Sequence, residues 1–165
     1  MNNKLYLSPK GRIGPAVFQQ SAIILIVIGF VLNLTNLFIP MLIPLTFLAG
    51  IALLWPWICL WIKRLHDAGK SGWMLLVIIL VMIVLSMISS FIVRMFVHVN
   101  PADVQAAMAN SHGFADMFKA GMAANRALML PNSIATVIVQ LIVVFGANAM
   151  LKSDPEENQF GPATA

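Results

Sequence analysis

The hydrophobic pattern along the chain consists of four long, nearly unbroken apolar stretches separated by polar segments. These stretches cover residues 17–39, 41–62, 72–93 and 131–151. Each is about as long as the roughly 20 helical residues that cross the hydrocarbon core of a bilayer. Because lipid offers no partner to backbone N–H and C=O groups, each stretch is predicted to be a helix with internal hydrogen bonds. The pattern therefore predicts an all-α, polytopic membrane protein with four transmembrane helices in one domain over residues 1–165.

The composition agrees with this class. Of the 165 residues, 60% are hydrophobic and 10% are charged, and the mean hydropathy is +0.89. A soluble domain carries about a quarter charged residues. The formal net charge is +4, but the ten Lys and Arg residues form no dense patch of the kind that binds nucleic acid, so no nucleic-acid partner is expected. The single cysteine, Cys59, excludes a disulfide framework and a Cys-based metal site, and we predict no metal and no cofactor.

The distribution of basic residues between the two sides of the membrane predicts the orientation. The N-terminal flank, the link between the second and third spans and the tail at residues 152–165 together hold seven Lys and Arg residues. The other two links, including the long link at residues 94–130, hold three. The positive-inside rule places the richer side in the cytoplasm. Both termini are therefore predicted to be cytoplasmic.

The outer link at residues 94–130 carries helix signals of its own. Asn100 can act as an N-cap, and Pro101 suits the first position of a helix that extends to Asn110. After an interruption at residues 111–113, apolar side chains recur at helical spacing: Phe114, Met117, Phe118 and Met122. We therefore predict a helical collar that lies on the outer leaflet or over the mouth of the bundle. The alternative, a docking surface for a partner protein, stays open.

Three tryptophans lie near the predicted cytoplasmic ends of the second and third spans: Trp57, Trp61 and Trp73. Amphipathic rings favour the headgroup layer, so these residues are predicted to be interfacial anchors. Pro56 cannot donate a hydrogen bond to the carbonyl of Ala52 and is expected to kink the second span beside a pocket. No Asp, Glu, Lys, Arg or His lies deep inside a predicted span, whereas ion-coupled transporters usually place such groups there.

The hinge between the second and third spans is the most informative string of the chain, KRLHDAGKSGW at residues 63–73. Its glycines permit a sharp reversal of the chain. Asp67 stands among positive charges and is predicted to be ionised and paired with Arg64 or with Arg12. The segment GKS at residues 69–71 does not belong to a phosphate-binding loop, because Arg64 stands where the first glycine would fall and no strand precedes it.

This string resembles the hallmark of a bacterial inner-membrane family known as domain of unknown function 805. Gly11-Arg12-Ile13 resembles the N-terminal motif of the family, and NQFGP at residues 158–162 resembles its closing Asn-x-aromatic-Gly signature. The sequence departs from the family pattern at residues 14–20, GPAVFQQ, where a charged and aromatic run is usual, and its outer link is longer than the common form. The resemblance implies a four-helix protein of the bacterial cytoplasmic (inner) membrane and assigns no activity.

The predicted topology brings all three motifs to one face of the membrane, where seven residues can converge: Arg12, Arg64, His66, Asp67, Lys70, Ser71 and Asn158. One interpretation is a structural ion-pair cluster that clips the terminal segments onto the hinge. The other is a basic pocket for an anionic lipid headgroup. We therefore predict a lipid-binding, accessory or structural membrane component rather than an enzyme. The alternative is a carrier or enzyme that acts on a lipid-linked phosphate. Membrane lipids are the expected partners, and a membrane-protein partner or a homo-oligomer stays open.

A reporter fused after Ala165 tests the predicted orientation. Because the tail lies on the side richer in Lys and Arg, we expect a reporter that works only in the cytoplasm to be active there. A reporter that works only outside the cytoplasm should be silent at the same position. The reverse pattern of activities would show that the orientation is inverted.

Overall fold

The computed structural model describes residues 3–110 and 112–164; the side chains at positions 3, 4, 103, 104, 107, 108, 114, 115, 118, 119, 122 and 124 lie outside the described set. The described residues form six α-helices: α1 Asn3–Leu7, α2 Pro15–Phe38, α3 Ile43–Asp67, α4 Leu75–Phe96, α5 Pro101–Ala109 and α6 Phe114–Met150. Short 3-10 turns at Pro40–Leu42 and Gly72–Met74 precede α3 and α4. The chain as described is therefore helical almost throughout.

Four helical segments are long and apolar enough to cross a membrane, which confirms the prediction of an all-α chain with four spans. They are Pro15–Phe38, Pro40–Asp67, Gly72–Phe96 and Asn125–Met150. The first begins at Pro15, where the fixed φ and missing N–H of proline suit the first helical turn. The second continues beyond the predicted end at residue 62 as far as Asp67. The basic part of the hinge motif is therefore helical.

The helix α6 differs most from the predicted elements, because it is 37 residues long and passes unbroken through Pro131. The sequence predicted a separate helical stretch before a fourth span beginning at Pro131. Proline removes one hydrogen bond, the one to the carbonyl of Ala127, and here the helix continues without it. At 1.5 Å per residue α6 is about 55 Å long, so it extends well beyond a hydrocarbon core of roughly 30 Å. Of the predicted apolar stripe, Met117 is exposed, and the side chains of Phe114, Phe118 and Met122 lie outside the described set.

The helix α2 lies between α3 and α6, while α4 packs chiefly on α6. The two shorter helices lie at the periphery, α1 against α3 and α5 against α6. Although α3 and α4 are joined by a short hinge, they touch little. This separation leaves a lateral groove between them, which we call the α3–α4 groove.

The buried core lies mainly in the half of the bundle nearest the hinge, which we call the hinge end; the opposite end, near residues 97–113, is the link end. Phe18 of α2 packs against Trp61 of α3, with ring centroids 4.7 Å apart and planes at 60°. Trp61 is 6% exposed and belongs to the core, whereas it was predicted to be an interfacial anchor. Trp73 is 78% exposed, and Trp57 is half-buried on the wall of the α3–α4 groove. Burial of Trp61 follows from its place on the face of α3 that meets α2.

Candidate functional site

The hinge ends α3 with a glycine in the left-handed conformation. Gly69 has φ +65°. The Lys70 N–H donates to the Leu65 carbonyl at 2.8 Å, and the Gly69 N–H donates to the His66 carbonyl at 3.1 Å. This pair of bonds is a Schellman cap, in which glycine avoids the steric cost of a positive φ. The cap defines where α3 stops and so positions Asp67 in its last turn.

Asp67 is fully buried at the centre of a set of polar residues that we call the hinge cluster: Arg12, Arg64, His66, Asp67, Asn148, Ser153, Asn158 and Thr164. Its Oδ2 accepts hydrogen bonds from Arg64 Nη1 and Ser153 Oγ, both at 2.6 Å. Its Oδ1 accepts from Arg12 Nε at 3.3 Å and from Thr164 Oγ1 at 2.5 Å. A carboxylate has about four lone-pair sites, so these bonds use the acceptor capacity of Asp67.

Arg64 is 1% exposed and donates all of its N–H groups to protein oxygens. Its Nε donates to Asn148 Oδ1 at 2.5 Å, and its Nη1 donates to Asp67 and, at 3.2 Å, to Ser153 Oγ. Its Nη2 donates to the carbonyls of Asn148, at 3.3 Å, and Leu151. Because a guanidinium has five N–H donors, no donor of Arg64 is left over for a ligand.

Arg12 is saturated in the same way, and its side chain is 1% exposed. Besides its Nε bond to Asp67, its Nη1 donates to the carbonyls of Glu156 at 2.7 Å and Gly161 at 3.2 Å. Its Nη2 donates to the carbonyls of Asp67 at 3.4 Å and Asp154 at 2.5 Å. Arg12 thereby holds the C-terminal tail against the end of α3 through three backbone carbonyls of the tail.

His66 and Asn158 join the remaining parts of the three motifs. The His66 ring stacks on Phe160, with centroids 3.8 Å apart and planes within 1° of parallel. Its Nδ1 lies 3.4 Å from the carbonyl oxygen of Gly11. Asn158 Nδ2 donates to the carbonyl of His66 at 3.1 Å and to Asp154 Oδ2 at 3.2 Å. The N-terminal motif, the hinge motif and the closing motif are therefore in direct contact.

The structure separates the seven predicted site residues into two groups. Five of them come together: Arg12, Arg64, His66, Asp67 and Asn158. Lys70 and Ser71 are exposed, and neither side chain bonds to the hinge cluster within the described part of the chain. The Ser71 hydroxyl accepts a hydrogen bond from the Trp73 N–H at 3.4 Å, at the start of the 3-10 turn that leads into α4.

Sequence reasoning missed three members of the hinge cluster: Asn148, Ser153 and Thr164. Asn148 carried a signal, since an amide in an apolar span is expected to find a hydrogen-bond partner, but its partner could not be read from the sequence. Ser153 and Thr164 lie in the tail, which has no periodic pattern. The sequence could not predict which backbone carbonyls accept from the two arginines, because every residue has a backbone carbonyl.

The N-terminal helix α1 is attached to α3 through backbone carbonyls. Lys63 Nζ donates to the Leu5 carbonyl at 2.9 Å, and Trp55 Nε1 donates to the Leu7 carbonyl at 3.1 Å. The Ile13 N–H donates to the Lys63 carbonyl at 3.4 Å. The segment that precedes α2 is therefore fastened to α3 at several points, which brings Arg12 to Asp67.

Two cavities lie near the hinge. The α3–α4 groove has a volume of about 940 Å³ and a largely apolar wall, with Ser86, Ser90, Arg94 and Gln140 as its polar side chains. A smaller hinge cavity of about 530 Å³ is lined by residues that include Lys10, His66, Ser71, Trp73, Leu75 and Phe160. Leu75 borders both cavities. Within the described residues, no group of three His, Cys, Asp or Glu side chains is placed to hold a metal ion.

The four apolar helices have the character of a multi-pass membrane protein, and a saturated polar cluster joins its terminal segments to the hinge. A family model described as "Protein of unknown function (DUF805)" matches residues 6–162, nearly the whole chain. The chain belongs to this family, which confirms the resemblance that its three motifs indicated. Comparisons with curated proteins and with solved structures find no match.

Replacing Asp67 by Asn tests whether the hinge cluster holds the fold. Two buried guanidinium groups would lose their carboxylate, and breaking a buried ion pair on one side costs about 3–5 kcal/mol. We expect a decrease of this order in the free energy of unfolding, measured by denaturant titration in mild detergent. Glu157→Gln is the matched control, because Glu157 is an exposed carboxylate of the tail, and it should change stability by less than about 0.5 kcal/mol. Wild-type stability of the Asp67 variant would contradict this role.

Proposed function

We propose that this protein is a lipid-binding component of the membrane, in which the hinge cluster is structural and the α3–α4 groove holds the hydrocarbon chain of an anionic lipid. The observation that carries this proposal is the groove itself, with its volume of about 940 Å³ and its largely apolar wall. Ligand-binding clefts have volumes of roughly 300–1,000 Å³ and mostly apolar walls. In a bilayer, the hydrocarbon that can enter such a groove from the side is a lipid chain.

The length of the groove also suits a lipid chain. Along α4 its lining extends from Leu75 to Arg94, which is about 28 Å at the rise of an α-helix. The hydrocarbon core of a bilayer is roughly 30 Å thick. A chain lying in the groove would therefore stay at its normal depth in the membrane.

The hinge cavity supplies the polar end of the proposed site. Lys10 and Ser71 line it, and the exposed Lys70 precedes Ser71 in the hinge. Both ion pairs within the described residues use Asp67, so Lys10 and Lys70 have no carboxylate partner there. A lysine ammonium binds phosphate as a point charge, and basic groups between spans on the cytoplasmic side bind anionic headgroups. We therefore assign the phosphate of the lipid to Lys10 and Lys70.

The buried arginines are poorly suited to the same task. A phosphate oxygen would have to displace protein oxygens that already occupy every N–H of Arg12 and Arg64. The displaced groups are mostly backbone carbonyls, which are costly to leave buried without a donor. Of the two interpretations of the motif, we assign the structural one to the hinge cluster and the headgroup-binding one to the lysines beside it.

In this proposal the hinge end faces the cytoplasm of a bacterial cell, as the distribution of Lys and Arg and the family resemblance imply. A carrier or enzyme that acts on a lipid-linked phosphate would require an acid or a base beside the bound lipid. Within the described lining of the groove, the one ionisable side chain is Arg94, and a guanidinium has hydrogen-bond donors but no acceptor. We therefore favour lipid binding without catalysis.

Filling the groove tests the proposed chain site. Ser86 lines the groove from α4, so Ser86→Trp should occupy the space of the chain and reduce the phospholipid that co-purifies in mild detergent severalfold, as measured by native mass spectrometry. Ile88→Trp adds the same side chain at a 50% exposed position of α4 outside the groove lining and should retain lipid at the wild-type level. Equal losses in both variants, or a wild-type protein that retains no lipid, would contradict the proposal.

Removing Lys10 and Lys70 tests the headgroup assignment. The double variant Lys10→Ala/Lys70→Ala should lose its preference for phosphatidylglycerol over phosphatidylcholine, by up to about fivefold per lysine. Lys152→Ala removes an exposed lysine of the tail that lines neither cavity and serves as the control. The measurement is lipid titration followed by native mass spectrometry. A preference that survives in the double variant would place the headgroup elsewhere.

A further inference from the structure

A cavity between α2 and α6, in the half of the bundle nearest the link end, is lined by many polar side chains. We call it the amide cavity; its volume is about 300 Å³. Its polar lining residues are Asn33, Asn125, Asn132, Ser133, Thr136 and Gln140. None of its described lining residues is ionisable. Since polar groups in a membrane-spanning bundle are costly without hydrogen bonds, the chemistry of these groups indicates what they can bind.

Three of these six side chains donate one hydrogen bond within their own helix. The Nδ2 groups of Asn33 and Asn125 each donate to the backbone carbonyl four residues earlier, at 3.1 Å and 2.8 Å. The Ser133 hydroxyl likewise donates to the carbonyl four residues earlier, at 2.8 Å. Each of these two amide groups keeps a second N–H, and no described donor reaches the side-chain oxygen of Asn33 or Asn125.

Asn132 provides the strongest indication of a ligand. Its Oδ1 is buried and accepts a hydrogen bond from no described residue. A buried acceptor without a donor is destabilising, and native proteins contain few of them. With the side-chain oxygens of the exposed Asn33 and Asn125, the cavity has three asparagine amide oxygens that accept no hydrogen bond from a described residue, and that of Asn132 is the buried one.

A primary ammonium group matches this requirement. It has three N–H donors and no acceptor, whereas a hydroxyl group has one donor and brings acceptors of its own. A carboxylate or phosphate only accepts and would face the amide oxygens unfavourably. Thr136 and Gln140 have both donors and acceptors, so they can hydrogen-bond to an ammonium group or to an anion. The three asparagine amide oxygens without a described donor, and above all the buried oxygen of Asn132, thus favour an ammonium ligand.

Arg126 places a positive charge beside the amide cavity. It follows the lining residue Asn125, its side chain is exposed, and its Nη2 donates to the Leu37 carbonyl of α2 at 3.5 Å. Leu37 lies about one turn beyond Asn33 on α2. Neither of the ion pairs within the described residues uses Arg126, and a guanidinium binds phosphate with two parallel hydrogen bonds. An ammonium site and a phosphate site are therefore adjacent.

We propose that the amide cavity binds the phosphoethanolamine headgroup of a membrane lipid. The ammonium lies at the amide oxygens of Asn33, Asn125 and Asn132, and the phosphate lies at Arg126. This site shares none of the headgroup residues of the hinge cavity, and it stands whether or not the α3–α4 groove holds a lipid chain. Soluble phosphoethanolamine carries the same two charged groups, so the experiment has to separate the two sources.

The decisive comparison uses the wild-type protein and two lipids with identical chains. Phosphatidylcholine differs from phosphatidylethanolamine by three methyl groups on nitrogen, which remove every N–H donor. Titration in mild detergent with detection by native mass spectrometry should show phosphatidylethanolamine bound at least about threefold more tightly, the effect of one hydrogen bond of ordinary strength in a membrane. Equal binding of the two lipids would overturn the proposal.

Substitutions test whether the amide cavity is the source of the preference for phosphatidylethanolamine. Asn125→Ala/Asn132→Ala should abolish the preference for ethanolamine, whereas Asn110→Ala, an exposed amide outside the cavity lining, should keep it. Arg126→Ala should weaken the binding of both lipids, because both carry phosphate, and Lys152→Ala, which removes an exposed cation that lines none of the three cavities, serves as its control. An ethanolamine preference that persists in the double asparagine variant, with unchanged thermal unfolding, would overturn the assignment.

Competition with soluble phosphoethanolamine separates the sources. If the lipid preference is present, displacement by the soluble compound shows that the headgroup supplies the affinity, and resistance to displacement shows that the chains add to it; both results support a lipid site. Binding of the soluble compound without any lipid preference would overturn the lipid assignment in favour of a free ligand. Lipid retention in the α3–α4 groove should be unchanged by the asparagine variants, which keeps this test distinct from that of the proposed function.

Discussion

The fold depends on one buried carboxylate at the end of a long apolar helix. Asp67 is fully buried, and a charge removed from water is tolerable only when it is paired and hydrogen-bonded. Arg12 and Arg64 provide the pairing and bring one positive charge more than the carboxylate neutralises. The donors that carry this excess positive charge form hydrogen bonds to oxygens of the tail and of the end of α6. The carbonyls of Asn148 and Leu151, at the C-terminal end of α6, lie where the helix dipole is negative and where backbone acceptors lack helical partners.

The shape of the bundle follows from this anchoring at one end. At the hinge end, polar bonds hold α3, α6, the N-terminal flank and the tail together, and most of the buried apolar core lies beside them. Toward the link end, bonds between the described helices are fewer, with Thr46 donating to Asn36 at 2.5 Å and Arg126 to the Leu37 carbonyl at 3.5 Å. Packing between helices in lipid has little hydrophobic driving force, because the surroundings are equally apolar. The α3–α4 groove and the amide cavity both extend into this less constrained half. In the proposed function, a bundle that is closed at one end and open at the other admits lipid without losing its fold.

Counting donors and acceptors distinguishes the structural polar groups of this protein from those suited to ligands. In the hinge cluster the five donors of each arginine and the acceptor sites of Asp67 are all used within the protein. In the amide cavity the oxygen of Asn132 has no described donor. Charge alone would have suggested the opposite assignment, since the arginines are ionised and the asparagines are neutral. Hydrogen-bond capacity, rather than charge, therefore decides which groups can bind something else.

The amino-acid sequence by itself determined the fold class and the meeting of the three motifs. Apolar runs of span length have no alternative to helix in lipid, and the hinge and both terminal motifs fall on one side of the predicted topology. The unbroken course of α6 through Pro131, the burial of Trp61 and the α3–α4 groove could not be predicted in this way, because each depends on which helix faces meet. The same holds for the hinge cluster, where Lys70 and Ser71 stay outside while Ser153 and Thr164 enter. Only the tertiary structure decided that division, since hydrogen bonds are made between groups that folding brings within about 3 Å, and residue types do not specify those distances.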